Sequence, residues 1–265
     1  MKWVAGAGRK IFYNILSLMS VPHPQQGAFP LFKFKGIQVS LHWTWLLVAL
    51  FQIQRQQDTY EHIGWAIAQY LSLFGIVLLH EFGHSFATRQ VGGTSENILL
   101  WPFGGIAYVQ APPRPGAHLW SIAAGPLVNL ALIPVLWLGF RYGLPEDGSA
   151  DLYTFAYYIQ IINLFLLVFN ILPIYPMDGG QILQALLWFK LGYAKALLIA
   201  SGIGLAGGAV LMALAFFYTQ SVLSALLVGF LLLSCWKAFQ SARQILAAQR
   251  EAAANPDSPY RVSDS

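Results

Sequence analysis

Residues 63–84 read IGWAIAQYLSLFGIVLLHEFGH, and this stretch decides the fold class. Residues 63–79 carry no charge and make a helix of about 25 Å at a rise of about 1.5 Å per residue, close to the thickness of a bilayer core. The last five residues, His80 to His84, then place three ionisable groups at the end of the apolar run. This pattern predicts a membrane-spanning helix that carries a polar site.

The composition of the whole chain agrees with a membrane protein. Its 265 residues are 57% hydrophobic and only 10% charged, whereas soluble domains average about 25% charged residues, and the mean hydropathy is +0.55. These values exclude a disordered chain and do not favour a nucleic-acid partner for the formal charge of +4. The single cysteine, Cys235, excludes a disulfide scaffold and is expected to be a small core residue.

Six apolar windows predict an all-α polytopic membrane protein with six transmembrane helices. When the N-terminus is placed in the cytoplasm, only Arg55 and Arg141 among the assigned basic residues fall on the outer side. This division predicts that both termini are cytoplasmic. The windows are 39–53, 63–79, 118–140, 152–172, 194–217 and 222–239.

The predicted domain organisation has three parts. Residues 1–35 form a cytoplasmic N-terminal segment with an amphipathic helix on the membrane surface, expected over 11–21. Residues 36–240 form the six-span core. Residues 241–265 form a cytoplasmic, partly disordered tail.

The motif His80-Glu81-Phe82-Gly83-His84 predicts a zinc site. Two histidines four residues apart share one helix face, so both imidazoles can bind one ion, and Glu81 can act on a water that the metal holds. The alternative is that the histidines hydrogen-bond to neighbouring helices while Glu81 forms an ion pair. His42 is expected at an interface, although it could line the site.

A zinc hydrolase usually has three protein ligands, and Asp178 is the candidate for the third. It lies in residues 170–180, NILPIYPMDGG, which follow the fourth span and reach the same depth as the end of the second. Pro173, Pro176 and Gly179 break the helix there and are expected to turn the carboxylate toward the second span. The alternative role for Asp178 is the N-cap of the short helix that follows.

The two motifs together resemble the site-2 protease family of intramembrane zinc metalloproteases. The resemblance is closest to the bacterial branch that includes the sporulation protease acting on a pro-sigma factor, and it covers residues 36–240. The loop 101–105, WPFGG, and the sequence 124–126, AGP, with Asn129 after it match the same branch.

The resemblance implies a role for each motif residue. His80, His84 and Asp178 would bind one Zn²⁺ ion, and Glu81 would be the general base that later gives its proton to the leaving amine. Asn129 would help to hold the substrate backbone, with helix packing as its alternative role.

The resemblance also implies a membrane-dipping β-hairpin over 98–109, between the second and third spans. Gly104 and Gly105 would make its turn, and its edge could bind an unwound substrate strand. Asn170 would brace the bent loop that precedes Asp178.

The implied activity is endoproteolysis of a transmembrane protein substrate near the cytoplasmic face of a bacterial inner membrane, that is, regulated intramembrane proteolysis. The chain is expected to be embedded in membrane lipid and not to bind nucleic acid. A homo-oligomer or a regulatory membrane partner is compatible with the sequence. Two alternatives are a zinc protease acting at the membrane surface and a non-proteolytic metal-binding protein, either a transporter or an inactive scaffold. The concentration of polar residues at one depth argues against a transporter.

Overall fold

The computed structural model describes residues 27–56, 58–101, 104–219 and 222–254, which are mostly helical with one small sheet. The predicted surface helix over 11–21 and the end of the tail, 255–265, lie outside the described residues. In chain order the elements are β1 (Ala28–Phe34), β2 (Ile37–His42), α1 (Thr44–Arg55), α2 (Ile63–Gln90), β3 (Thr94–Trp101), β4 (Gly104–Gln110), α3 (Pro115–Gly143), α4 (Ala150–Ile171), α5 (Asp178–Leu191), α6 (Tyr193–Leu214) and α7 (Val222–Ala254).

Four helices among the described residues are long and apolar enough to cross a membrane. They are α2, α3 and α4, with 28, 29 and 22 residues, and α6 with its π-helical extension to Tyr218, with 26 residues. They coincide with the second to fifth predicted spans. The fold therefore agrees with a multi-pass integral membrane protein.

The described part of the chain that begins at Pro173 forms one compact unit, and residues 27–172 form the other. In the unit after Pro173, α7 has 33 residues and includes the predicted sixth span, 222–239. That crossing and the three-part domain organisation stay predictions. Because α7 continues to Ala254, the described part of the predicted tail is helical. Cys235 is buried and free, as predicted.

The prediction of one helical span over 39–53 is wrong. Strand β2 occupies the first part of this window and continues to His42, and α1 begins only at Thr44 and has 12 residues. A helix of that length measures about 18 Å, which is short of a bilayer core. The alternation of buried Ile37 and Val39 with the half-buried Gln38 is the period of a strand, which the apolar content of the window concealed.

The predicted all-α class is corrected by a four-stranded sheet with the order β1-β2-β3-β4. The pairs β1–β2 and β3–β4 are antiparallel, and the central pair β2–β3 is parallel, with Val39 opposite Ile98. A parallel pair requires a long crossover, here α1 and α2, so no local turn signal announces it. Strand β1 also places part of the predicted N-terminal segment, 1–35, in this sheet.

The sheet packs against α2 and so positions the motif that this helix carries. Val77 and Phe82 of α2 belong to one buried apolar cluster with side chains of β2, β3 and α1. In a membrane-spanning helix, such packing is stabilised by van der Waals contacts, because lipid offers apolar side chains an equally apolar environment. The other members of the cluster are Ile37, Val39, Trp45, Ile98 and Leu100.

Helix α2 is held at both ends. Before its start, the buried carboxylate of Asp151 accepts hydrogen bonds from the backbone N–H groups of Glu61 (3.0 Å) and His62 (3.1 Å). Near its end, the Arg89 guanidinium donates through Nε to the carbonyl oxygen of Ser95 at 3.0 Å, at the start of β3. These contacts attach the start of the helix to α4 and its end to the sheet.

Candidate active site

The side chains of His80, Glu81 and His84 form a buried cluster on α2. One ligand atom from each residue lies within 4.8 Å of the others, and the Nε2 atoms of the two histidines are 3.1 Å apart. The four-residue spacing places both imidazoles on one face of the helix, as the sequence predicts.

Helix α3 contacts the Nδ1 atom of each histidine. His84 Nδ1 lies 2.9 Å from the backbone carbonyl oxygen of Ser121, and His80 Nδ1 lies 2.6 Å from Oδ1 of Asn129. Because a carbonyl oxygen can only accept a hydrogen bond, His84 carries its proton on Nδ1 and presents the lone pair of Nε2 to the cluster.

Two glycines allow α2 and α3 to approach at this point. A Cβ atom on Gly83 would lie 2.7 Å from the carbonyl oxygen of Ala124, closer than side chains tolerate. A Cβ atom on Gly125 would lie 2.7 Å from His80 Nε2 and also within 3.0 Å of His84 Nε2. The glycine at 125 therefore lets both imidazoles lie this close to the backbone of α3.

The donors fit a zinc ion. Imidazole nitrogens are preferred zinc ligands, with zinc–nitrogen distances of about 2.0–2.1 Å, and the two Nε2 atoms, 3.1 Å apart, suit a single ion. The Nδ1 contacts hold the rings in place, as is usual for metal-binding histidines. Gly125 lets both Nε2 atoms lie against the backbone of α3 without a steric clash.

Glu81 is 6% exposed and contacts the hairpin of β3 and β4. Its Oε2 atom accepts a hydrogen bond from the backbone N–H of Ala107 in β4 at 3.0 Å. A Cβ atom on Gly105 would lie within 3.0 Å of the Glu81 carboxyl group, so a glycine is needed for β4 to come this close. The contact with β4 thus fixes the position of the Glu81 carboxylate within the cluster.

The predicted turn at Gly104 and Gly105 is corrected by the register of the hairpin. Both glycines belong to β4, where Gly104 lies opposite Trp101 and Gly105 opposite Leu100. The sequence suggested a turn because paired glycines favour one. The close approach to Glu81 accounts for Gly105 instead.

Asp178 lies in the unit that begins at Pro173, where it is the first residue of α5 and is 9% exposed. The N-cap position is occupied by Met177, so the alternative role of Asp178 as the N-cap is wrong. Its role as a zinc ligand stays a prediction.

The helix break before α5 is present where the prolines predict it. Helix α4 ends at Ile171, and Pro173 and Pro176 lie in the loop before α5. Gln181 Nε2 donates to the carbonyl oxygen of Pro176 at 2.8 Å, which ties the loop to the helix. Gly179 is buried in the first turn of α5.

Two other predicted site residues lie in α4 and β2. Asn170 is half-buried in the last turn of α4, and its bracing role stays a prediction. His42, at the end of β2, has its Nδ1 atom 2.6 Å from the hydroxyl oxygen of Thr44.

A family model, that of peptidase family M50, matches residues 68–146 and 146–214, which is more than half of the chain. The chain belongs to peptidase family M50. The first matched segment contains His80, Glu81 and His84, and the second contains Asp178. The predicted resemblance is thereby confirmed.

Relatives of this M50 chain include a solved structure of a site-2 protease from Methanocaldococcus jannaschii, with a TM-score of 0.61 and 32% identity, covering 80% of this chain and 95% of that one. A zinc metalloprotease of the same organism is 38% identical over 176 residues, 66% of this chain and 50% of the relative. Stage IV sporulation protein FB of Bacillus subtilis is 34% identical over 128 residues, 48% of this chain and 42% of the relative. The chain spans about half the length of the curated relatives it matches. The relatives named zinc metalloproteases and the buried cluster together support zinc as the metal.

Sequence reasoning missed three contacts of the M50 site. The Ser121 carbonyl and the Ala107 N–H are backbone groups, which carry no sequence signal. Asn163 hydrogen-bonds to Asn129 inside an apolar helix, and a polar residue at that depth is the signal that could have found it.

Proposed function

We propose that this chain is an intramembrane zinc metalloendopeptidase that hydrolyses a peptide bond in or next to a transmembrane segment of a membrane protein, near the cytoplasmic face. The observation that carries the proposal is the buried cluster of His80, Glu81 and His84 on a helix long and apolar enough to cross a membrane, in a chain of peptidase family M50. Ionisable groups at such a depth are costly unless they are paired or bind a metal.

In the proposed site, His80, His84 and Asp178 hold one zinc ion per chain. When bound, zinc polarises the substrate carbonyl and lowers the pKa of a water molecule toward about 7. Support for Asp178 comes from its carboxylate chemistry, from its burial, and from the break in the helix before α5.

Glu81 is the proposed general base. It takes a proton from the attacking water and gives it to the leaving amine, which converts a poor leaving group into a neutral one. The hydrogen bond from the Ala107 N–H to Oε2 orients the carboxylate during both transfers.

The proposed substrate strand lies along β4. A transmembrane helix satisfies its peptide groups internally, so cleavage requires local unwinding and a partner for the released groups. Strand β4 is an edge strand of the described sheet and contacts Glu81. A substrate strand that pairs with β4 would therefore lie next to the general base. Gly104 would allow close approach of the substrate backbone. Gly105 lies against the Glu81 carboxyl group instead, and the hydrogen bonds of Asn129 favour a role in supporting His80.

The proposed location is the inner membrane of a bacterial cell, with both termini in the cytoplasm, which requires β2 and α1 together, and not one helix over 39–53, to make the first crossing. The support is the unequal distribution of lysine and arginine, in which only Arg55 and Arg141 fall on the outer side. Membrane lipid and a transmembrane protein substrate are the partners, with a homo-oligomer or a regulatory membrane protein as further candidates.

The test is the Glu81→Gln variant, purified in detergent and compared with wild type. The amide keeps the size of the side chain but cannot accept a proton, so zinc content is expected to stay at wild-type level while cleavage is lost. The substrate is a membrane protein that accumulates in cells expressing the variant. Glu96→Gln, the same change at an exposed position of β3, is the control and is expected to cleave normally.

Full cleavage by Glu81→Gln would overturn the role of Glu81. Zinc binding by wild-type protein with no accumulating membrane protein and no cleavage would instead favour the non-proteolytic alternative, a transporter or an inactive scaffold.

A further inference from the structure

Three buried polar side chains form a hydrogen-bonded chain across three helices. They are His80 of α2, Asn129 of α3 and Asn163 of α4, with exposed fractions of 5%, 0% and 1%. His80 Nδ1 lies 2.6 Å from Asn129 Oδ1, and Asn129 Nδ2 lies 2.9 Å from Asn163 Oδ1. The remaining atom, Asn163 Nδ2, donates to the backbone carbonyl oxygen of Asn129 at 2.9 Å.

The direction of every bond in this chain follows from that backbone carbonyl. A carbonyl oxygen only accepts, so the amide of Asn163 must direct Nδ2 toward it and Oδ1 toward the side chain of Asn129. Asn129 must then direct Nδ2 toward Asn163 and Oδ1 toward His80. His80 Nδ1 therefore carries a proton, and the lone pair of the ring is on Nε2.

We propose that Asn163 is a positioning residue that sets the tautomer of His80 for metal binding. Without Asn163, the amide of Asn129 could rotate and present its NH₂ group to His80. The imidazole would then accept at Nδ1 and carry its proton on Nε2, and a protonated nitrogen cannot bind zinc. The inference rests on the proposed zinc site and adds a residue that touches neither metal nor substrate.

The test measures zinc affinity, by competition with a chelator, for the purified full-length protein in detergent. In Asn163→Leu the side chain keeps a similar size but has no polar atom to orient Asn129. Its zinc affinity is expected to fall about 10- to 100-fold, the range typical of residues that orient a metal ligand. Gln160→Leu is the control, because Gln160 lies on the same helix and its Nε2 atom donates to that same helix, at the Ala156 carbonyl oxygen.

A second variant separates orientation from folding. Asn163→Asp keeps an oxygen acceptor toward Asn129 Nδ2 in either protonation state, so it is expected to bind zinc more tightly than Asn163→Leu. The double variant Asn129→Leu with Asn163→Leu is expected to bind zinc no more weakly than Asn129→Leu alone, because Asn163 acts only through Asn129.

The proposal would be overturned by wild-type zinc affinity in Asn163→Leu, by equal losses in the Leu and Asp variants, or by additive losses in the double variant. These outcomes are distinct from failure of the proposed function, in which wild-type protein binds zinc tightly but cleaves no membrane protein. Wild-type protein that binds no zinc would overturn both.

Discussion

His80 and His84 lie one helical turn apart and face the same space, but different groups hold them. His84 donates to a backbone carbonyl, that of Ser121, whereas His80 depends on the side chain of Asn129 and, through it, on Asn163. A backbone acceptor is unaffected by a change of side chain. The His80 half of the site can therefore be weakened by substitutions that leave the His84 half intact.

One face of α3 supplies both supports and the space between them. Ser121, Gly125 and Asn129 recur every four residues, which places them in one row along the helix. The first and last orient the two rings, and the middle one, a glycine, lets both rings lie against the helix backbone. The metal site is thus formed by two helices, with ligands on α2 and their supports on α3.

The largest effect is expected at Gly125, which lies against both His80 and His84. In Gly125→Ala, the added methyl group would clash with both imidazoles and displace them, so zinc content and cleavage are expected to be lost together. Elemental analysis of the purified variant measures the zinc.

Gly139→Ala is the matched control for this prediction, because Gly139 lies on the same helix and a Cβ atom there would have no neighbour within 4 Å. It is expected to keep its zinc. Retention of zinc by Gly125→Ala would show that the ion is not bound by the two histidines.

How far the sequence alone predicts this site depends on the range of the interactions. The cluster of His80, Glu81 and His84 follows from residue spacing within one helix. Four of the predicted spans coincide with helices because a long apolar run is also a property of one continuous segment. The row on α3 has the same four-residue spacing and was open to prediction. Asn163 stands out in the sequence as a polar residue in an apolar helix, but its partner could not be predicted, because Asn129 lies 34 residues away and the contact depends on how α3 and α4 pack.

The sheet shows the same limit. Strands β3 and β4 are neighbours in sequence, and a hairpin was predicted in this region. Strand β2 pairs with β3 in parallel across two intervening helices, and its residues resembled the start of a membrane span. Local apolar content could not separate a buried strand from a short helix.

A smaller effect is expected at Asp178, the proposed ligand outside the unit that holds the histidines. Asp178→Ala removes one of three proposed ligands but leaves both histidines and their supports, so zinc is expected to bind more weakly without being abolished. The measurement is zinc affinity by chelator competition. Asp147→Ala, in the exposed loop between α3 and α4, is the control; equal affinities in the two variants would remove Asp178 from the ligand set.

The smallest effect is expected at Gly105, which lies outside both histidine supports. In Gly105→Ala the new methyl group would displace the Glu81 carboxyl group from Ala107, while the histidines keep their contacts. Zinc affinity is therefore expected to be unchanged, and kcat is expected to fall by up to about 100-fold, as for a misplaced catalytic group. Gly75→Ala, on α2 with open space around its Cβ position, is the control. A rise in KM at constant kcat would assign Gly105 to substrate binding instead, because the general base would then be undisturbed.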